Sequence, residues 1–264
     1  MAEIVFEQVR KEFGGFTALD GIDLEIRDGE FLVVVGPSGC GKSTLLDLLG
    51  GLARPSGGRI LLDGKPVTGP GLDRGIVFQQ YALLPWRTAQ GNVELGLEAT
   101  GVPRRQRAAR AREFLDLVGL TGFEERHPHE LSGGMRQRVA IARALAYDPD
   151  VLLMDEPFAA LDAQTRESLQ DELRRIWQST GKTVVFITHG IEEAVYLGQR
   201  VAVMTSRPGR IKEVVPITFR DGDGLLGEAL RSSPEFARHR HGIWSLLHEE
   251  VARAQQLEKE AAAA

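Results

Sequence analysis

Residues 36–44 read GPSGCGKST, between the apolar run FLVVV at 31–35 and TLLDLLGGL at 44–52, which has helical character. A buried strand that feeds a glycine-rich turn and then a helix leaves few folds open. The turn must wrap main chain closely around whatever the helix N-terminus attracts, and free N–H groups at the positive end of a helix dipole attract anions. GPSGCGKS at 36–43 matches G-x-x-x-x-G-K-[ST] in full, in the strand-before, helix-after context that gives the match its meaning. Gly36, Gly39 and Gly41 allow close approach to phosphate oxygens, Lys42 supplies a point charge to the β and γ phosphates, and Ser43 offers a hydroxyl to Mg²⁺. Cys40 reads as a small loop residue, because no catalytic base adjoins it.

A second stretch, LSGGMRQR at 131–138, also has the makings of an anion-binding helix start, about ninety-five residues further on. Two phosphate cradles in one chain raise the question of why one protein would carry both.

The chain has 264 residues, a formal net charge of −5 and a pI near 5.8, which argues against a general nucleic-acid binder. Its one cysteine excludes an internal disulfide and fits a reducing compartment. The longest apolar runs fall far short of the ~20 residues that cross a bilayer. Charged residues in MAEIVFEQVRKEF interrupt what would be a signal peptide's apolar stretch, so we expect no export.

Alternation in IVFEQV (4–9) and IDLEI (22–26), the Asp28-Gly29 turn and GRILLDGKPV (58–67) predict antiparallel strands around the buried run 31–35. GIVFQ at 75–79 reads as a further buried strand. From about Thr88 to Tyr147 helical periodicity dominates, with Phe114, Leu115, Val118 and Leu120 on one side, and we read 88–147 as an inserted helical subdomain. Alternation resumes with VLLMDEP (151–157), a helix over 165–178, TVVFITH (183–189) and RVAVMTS (200–206). The expected fold class is α/β: a P-loop NTPase core of mostly parallel sheet with helices, an antiparallel β subdomain and an inserted α-helical subdomain. Residues 1–220 form the expected main domain and 221–264 a helical extension with an unstructured Ala-rich tail.

Asp155 and Glu156 end a buried strand, where ligands collect in parallel sheets; beside a phosphate loop they read as Mg²⁺ ligand and polariser of the attacking water. His189 ends the apolar strand TVVFI and reads either as a satisfied strand-end histidine or as a group reaching a γ-phosphate. Gln79 reads as a polar strand terminus or as a sensor of Mg²⁺ and water through an amide that cannot be a base. Phe13 reads as an adenine-stacking ring or an edge-strand core residue. The arginines of 103–112 fit a solvated helical face, and RHRH at 238–241 lacks metal-ligand spacing and reads as surface.

With these residues placed, the chain resembles the ATP-binding subunits of ABC transporters over nearly its whole length. GPSGCGKS, VFQ, LSGG, VLLMDEP, AALD at 159–162 and ITH all occur in that family's order. GPGLDRGIVFQ (69–79), ALLPW (82–86), GIEEAVYLGQRV (190–201) and SRPGRI (206–211) are similar to the importer branch for taurine, alkanesulfonates and nitrate, with the taurine importers nearest in appearance. The resemblance implies ATP and Mg²⁺ as cofactors, Phe13 on adenine, and Gly36, Pro37, Ser38, Gly39, Cys40, Gly41, Lys42, Ser43 and Thr44 as the phosphate loop. It implies Gln79 as the glutamine that senses the transmembrane partner and Mg²⁺, and Ala82 to Trp86 as the permease contact. It implies Ser132, Gly133 and Gly134 as the signature, Asp155 as metal ligand and Glu156 as base. Asp162 becomes the interface-crossing aspartate, and His189 the switch histidine. Partners so implied are a second copy in a head-to-tail ATP sandwich, a permease and a separate substrate-binding protein, with no nucleic acid, at the cytoplasmic face of the inner membrane as a peripheral subunit.

Two positions depart from the family pattern: Met135 replaces a usual glutamine, and Gly190 follows His189 where an aspartate is usual. A glycine there gives no side-chain hydrogen bond and adds backbone freedom, so slower turnover is expected. Of the rival readings, a soluble ABC ATPase of DNA repair needs heptads that the interval between the two cradles lacks, and a translation factor needs two ATPase units. A small-molecule P-loop kinase gives no reason for LSGG.

Overall fold

The computed structural model describes residues 2–219 and 227–263, with side chains to Ala254. The chain divides into two compact units, Met1–Pro70 with Thr183–Ala264, and Gly71–Lys182.

In the first unit, β1 (Ile4–Phe13), β2 (Phe16–Ile26), β4 (Gly57–Leu62) and β5 (Lys65–Pro66) form an antiparallel sheet in the order β2-β1-β4-β5. Alternation shows in β1, where Ile4, Phe6 and Val9 are buried. β3 (Phe31–Val35) lies between β8 (Thr183–Ile187) and β9 (Arg200–Met204), parallel to both, and β10 (Ile211–Pro216) adds antiparallel to β9. All five residues of β3 and of β8 are buried, as a strand covered on both faces requires, which is why they read as unbroken apolar runs. Each such side chain contributes about 1.5–3 kcal/mol by leaving water. The buried Glu30 carboxylate accepts from the Arg200 guanidinium at 2.5 and 2.7 Å, and Arg200 also donates to the Glu25 carbonyl at 2.6 Å, pinning the turn before β3 to β9. Helices α1 (Lys42–Leu49), α6 (Ile191–Leu197), α7 (Gly227–Arg231) and α8 (Pro234–Ala263) complete the unit.

In the second unit, β6 (Arg74–Val77) pairs in parallel with β7 (Val151–Asp155). Helices α2 (Ala89–Ala99), α3 (Arg104–Leu117) and α4 (Gly133–Ala146) fill the expected helical stretch, and α5 (Ala163–Thr180) follows β7. Leu115, Val118 and Leu120 are buried, while Arg104, Arg105 and Arg110 of α3 are exposed. α2 and α4 approach closely at Gly96, where an added Cβ would lie 2.7 Å from the Arg143 carbonyl. Thr88 caps α2 by accepting from Gly91 N–H at 3.1 Å. The buried Asn92 amide accepts from Leu84 N–H and donates to the Leu84, Arg87 and Thr88 carbonyls, so the loop before α2 is anchored rather than loose.

The architecture is α/β with a parallel core, an antiparallel β part and a helical part, as expected. Three local expectations are corrected. Gln79 and His189 do not end strands: β6 stops at Val77 and β8 at Ile187, and both residues lie exposed in the loops beyond. Helix α1 begins at Lys42 rather than Thr44, taking the lysine and serine into its first turn. The Ala-rich tail continues α8 as far as Ala263; residues 220–226 and 264 of the expected extension lie outside the described residues.

Candidate functional site

The first unit presents the phosphate loop between β3 and α1. Gly41, the N-cap of α1, has φ +102°, a left-handed conformation that a side chain resists, and a Cβ there would lie 2.7 Å from Leu19 Cδ2. No side chain caps α1 and no acidic residue occupies its first turn, so the positive helix end is left to a ligand. Lys42 is buried, its ammonium donating to the Gly36 and Pro37 carbonyls at 2.9 and 3.0 Å. That holds the charge within the loop. The Cys40 thiol is buried, and burial pushes its pKa up against the pull of Lys42, so it is a packing residue, not a nucleophile. An uncapped helix start, a lysine inside the loop and glycines too tight for side chains fit a polyphosphate.

Arg207, which the sequence reading did not single out, backs this loop. Its Nε donates to the Gly39 carbonyl at 2.8 Å, and its guanidinium lies 5.2 Å from the Phe16 ring centroid. Gly39 has φ +72°, a conformation that favours glycine, and a Cβ there would also fall 2.5 Å from Arg207 Nη2. Phe13 is 51% exposed at the end of β1, with Lys11 Nζ 4.8 Å from its ring centroid; the core reading falls and a ring open to a ligand remains.

The second unit presents Asp155 at the end of β7 and Glu156 just beyond, both half-buried. Glu156 has φ +43°, a left-handed conformation rare for glutamate and of the kind that clusters at functional sites. Asp162 is exposed and caps α5, accepting from Thr165 N–H at 2.9 Å; that hydrogen bond holds its carboxyl below the usual range. Arg166 donates to the Phe158 and Leu161 carbonyls at 3.3 and 2.9 Å, fixing the loop between Glu156 and α5.

Ser132 caps α4, its Oγ accepting from Met135 N–H at 3.3 Å. Met135 therefore contributes a main-chain group that any residue offers, a physical account of why the departure is tolerated. Gly134 is buried, and a Cβ there would meet Thr165 Cγ2 at 2.6 Å. One turn on, Gln137 is wholly buried, and among the described residues neither of its amide atoms finds a hydrogen-bond partner.

Beyond Gln79, Tyr81 and Ala82 both have positive φ, +62° and +47°. Arg143 of α4 donates to both their carbonyls, at 2.9 and 2.5 Å, and the Arg136 guanidinium lies 5.4 Å from the Tyr81 ring centroid. Trp86, at the end of this loop, is 72% exposed. The only sequence signal for this clamp was arginine recurring at 136 and 143 on one helix.

A family model described as ABC transporter matches residues 19–159, just over half of the chain. The chain belongs to the ABC transporter family. An uncharacterized ABC transporter ATP-binding protein of Methanocaldococcus jannaschii is 57% identical over 243 residues, covering 91% of this chain and 88% of that one. Taurine import ATP-binding protein TauB of Rhizobium johnstonii is 53% identical over 233 residues, 88% of this chain and 89% of its own, and that of Pseudomonas putida 50% over 247 residues, 92% and 94%. Among solved structures, an ATP-binding cassette seen as a post-hydrolysis dimer with ADP and Pi superposes with a TM-score of 0.71 at 36% identity, over 82% of this chain and 99% of that one. This ABC chain is thus an ATP-binding subunit of the ATP-hydrolysing kind. Among the described residues no helix of this ABC subunit is long and apolar enough to cross a membrane.

Proposed function

We propose that the chain energises uptake of a small sulfonate or related anion, taurine first with alkanesulfonate or nitrate behind it, through a separate permease. The observation that carries this reading is the 50–53% identity to taurine import ATP-binding proteins over most of the chain. Two copies work head to tail, each γ-phosphate lying between the phosphate loop of one copy and Ser132 to Gly134 of the other. The dimeric state of a cassette 36% identical to this chain supports that arrangement. A separate substrate-binding protein selects the cargo, and the subunit docks at the cytoplasmic face of the membrane through Ala82 to Trp86, where an exposed tryptophan on an anchored loop suits a partner's helix.

Lys42 and the main-chain N–H groups of 36–44 bind and orient the phosphates, Phe13 stacks on adenine, and Asp162 lies at the interface of the two copies. Glu156 takes the proton of the attacking water, His189 contacts the γ-phosphate, and Gln79 holds the water in line through its amide. Ser43, Asp155 and Gln79 would hold Mg²⁺, which when bound neutralises charge on the β and γ oxygens. Among the described residues no cluster of three or more His, Cys, Asp or Glu forms a cage, and a sparse donor set suits a cation that keeps waters and phosphate oxygens as ligands. The inserted helical subdomain of 88–147 and the C-terminal helical extension of 221–264 belong to the same reading.

Glu156→Gln is expected to abolish hydrolysis, preserve ATP binding and accumulate an ATP-bound dimer in size-exclusion chromatography; normal turnover would remove Glu156 from the role of base. Growth on taurine as sole sulfur source, with and without this subunit, checks the cargo. Unimpaired growth of the deletion strain, with loss on another sulfonate or on nitrate, would reassign it.

A further inference from the structure

His189 stands between two residues tied into one hydrogen-bonded relay. Gly190 is the N-cap of α6, has an extended backbone at φ −87°, and supplies no side-chain acceptor. Its N–H donates to Thr188 Oγ1 at 2.9 Å, and the same hydroxyl donates to the Glu193 carboxylate. Glu193 is the third helical residue. In a capping box the glutamate at that position reaches back to the N-cap N–H while the N-cap side chain accepts from the helix. Here the N-cap has no side chain, and the Thr188 hydroxyl is inserted between the N-cap N–H and the glutamate. Thr188 is 2% exposed and Glu193 9%, so water does not compete for their hydrogen bond.

We propose that the Thr188–Glu193 hydrogen bond is the positioning device for His189, performing from positions 188 and 193 the support that an aspartate after the histidine would give. The proposal rests on the role of His189 in hydrolysis. Both residues are buried, and both act by fixing the main chain on either side of the histidine. Gly190 is not demanded by space, since an added Cβ would meet Glu193 Cβ and Thr188 Oγ1 at an ordinary 3.5 Å. An aspartate there would extend a second carboxylate beside Glu193, whose Oε2 lies 3.8 Å from that Cβ, so Gly190→Asp gains little while Glu193 is present.

The test is steady-state ATP hydrolysis by the full chain, with kcat, KM for ATP and Tm measured for each variant. Glu193→Ala and Thr188→Val should lower kcat about tenfold with KM within about twofold, because misplacing a group that contacts the transferred phosphoryl penalises the transition state more than binding. Thr188→Ser should retain the parental rate. Gly190→Asp should change the parent within about twofold yet recover most of the rate lost in Glu193→Ala, the expected behaviour of groups sharing one task. Parental kcat in Thr188→Val, an isosteric change that keeps the packing, overturns the proposal. So does a loss in Glu193→Ala that follows Tm and is not recovered by Gly190→Asp. His189→Ala, measured alongside, separates the two levels: full activity there refutes the role of His189 itself, whereas an impaired His189→Ala with an unimpaired Thr188→Val refutes only the relay.

Discussion

The two helix starts that frame this chemistry are built on opposite plans. At α1 the N-cap is a left-handed glycine with no side-chain cap, and the lysine that follows is folded back onto the loop carbonyls. At α4 the N-cap is Ser132, which already satisfies one N–H of its own helix, and the next two residues are glycines without positive φ. The first is an uncapped helix start behind a glycine loop that holds a lysine. The second is a capped helix start whose first two residues carry no side chain. The difference teaches that glycine serves conformation at Gly41 and clearance at Gly134, and that only the former makes a binding loop by itself.

The largest effect expected from breaking this comparison comes from placing Ser132→Arg and Lys42→Ala in mixed dimers. On the same chain, the two changes should disable both ATP sites and reduce hydrolysis by about a hundredfold or more, as removal of transition-state donors does. On opposite chains they should damage one site twice and leave the other whole, with about half the parental rate remaining. If each copy completed its own ATP site, the pattern would reverse. A smaller effect is expected in stability. Gly134→Ala drives a Cβ against Thr165 Cγ2 and should destabilise by about 1–3 kcal/mol in denaturant titration, with Thr165→Ser restoring most of it. Gly41→Ala is strained by its backbone at φ +102°, so trimming Leu19 should not restore it. The smallest effect is at Gln137, whose buried amide has no hydrogen-bond partner among the described residues: Gln137→Met should raise stability by up to about 1 kcal/mol. A fall in Tm instead would show that the amide is used.

Much of the fold was legible because its core strands carry their own signal. FLVVV is buried and apolar throughout, VLLMD and TVVFI are so apart from the half-buried Asp155 that ends one and the buried Thr183 that begins the other, and the helices of 88–147 keep their period. Strand ends were less legible, because burial stops gradually and hydrogen-bond registry decides the last residue; the strands expected to end at Gln79 and His189 each stop two residues earlier for that reason. The tail was misjudged because alanine is the best helix former, and composition alone did not separate a solvated helix from an unstructured end.

The sequence by itself determined the phosphate loop, the family and the candidate chemical groups, because each rests on residue types at short fixed spacings whose geometry is local. Only the tertiary structure decided what holds those groups. Arg207 on Gly39 joins residues 168 positions apart, and Arg143 on Tyr81 joins residues 62 apart, pairings that no local pattern encodes. Even the relay around His189, though short in sequence, depends on the burial of Thr188 and Glu193, and burial is a property of the packed fold.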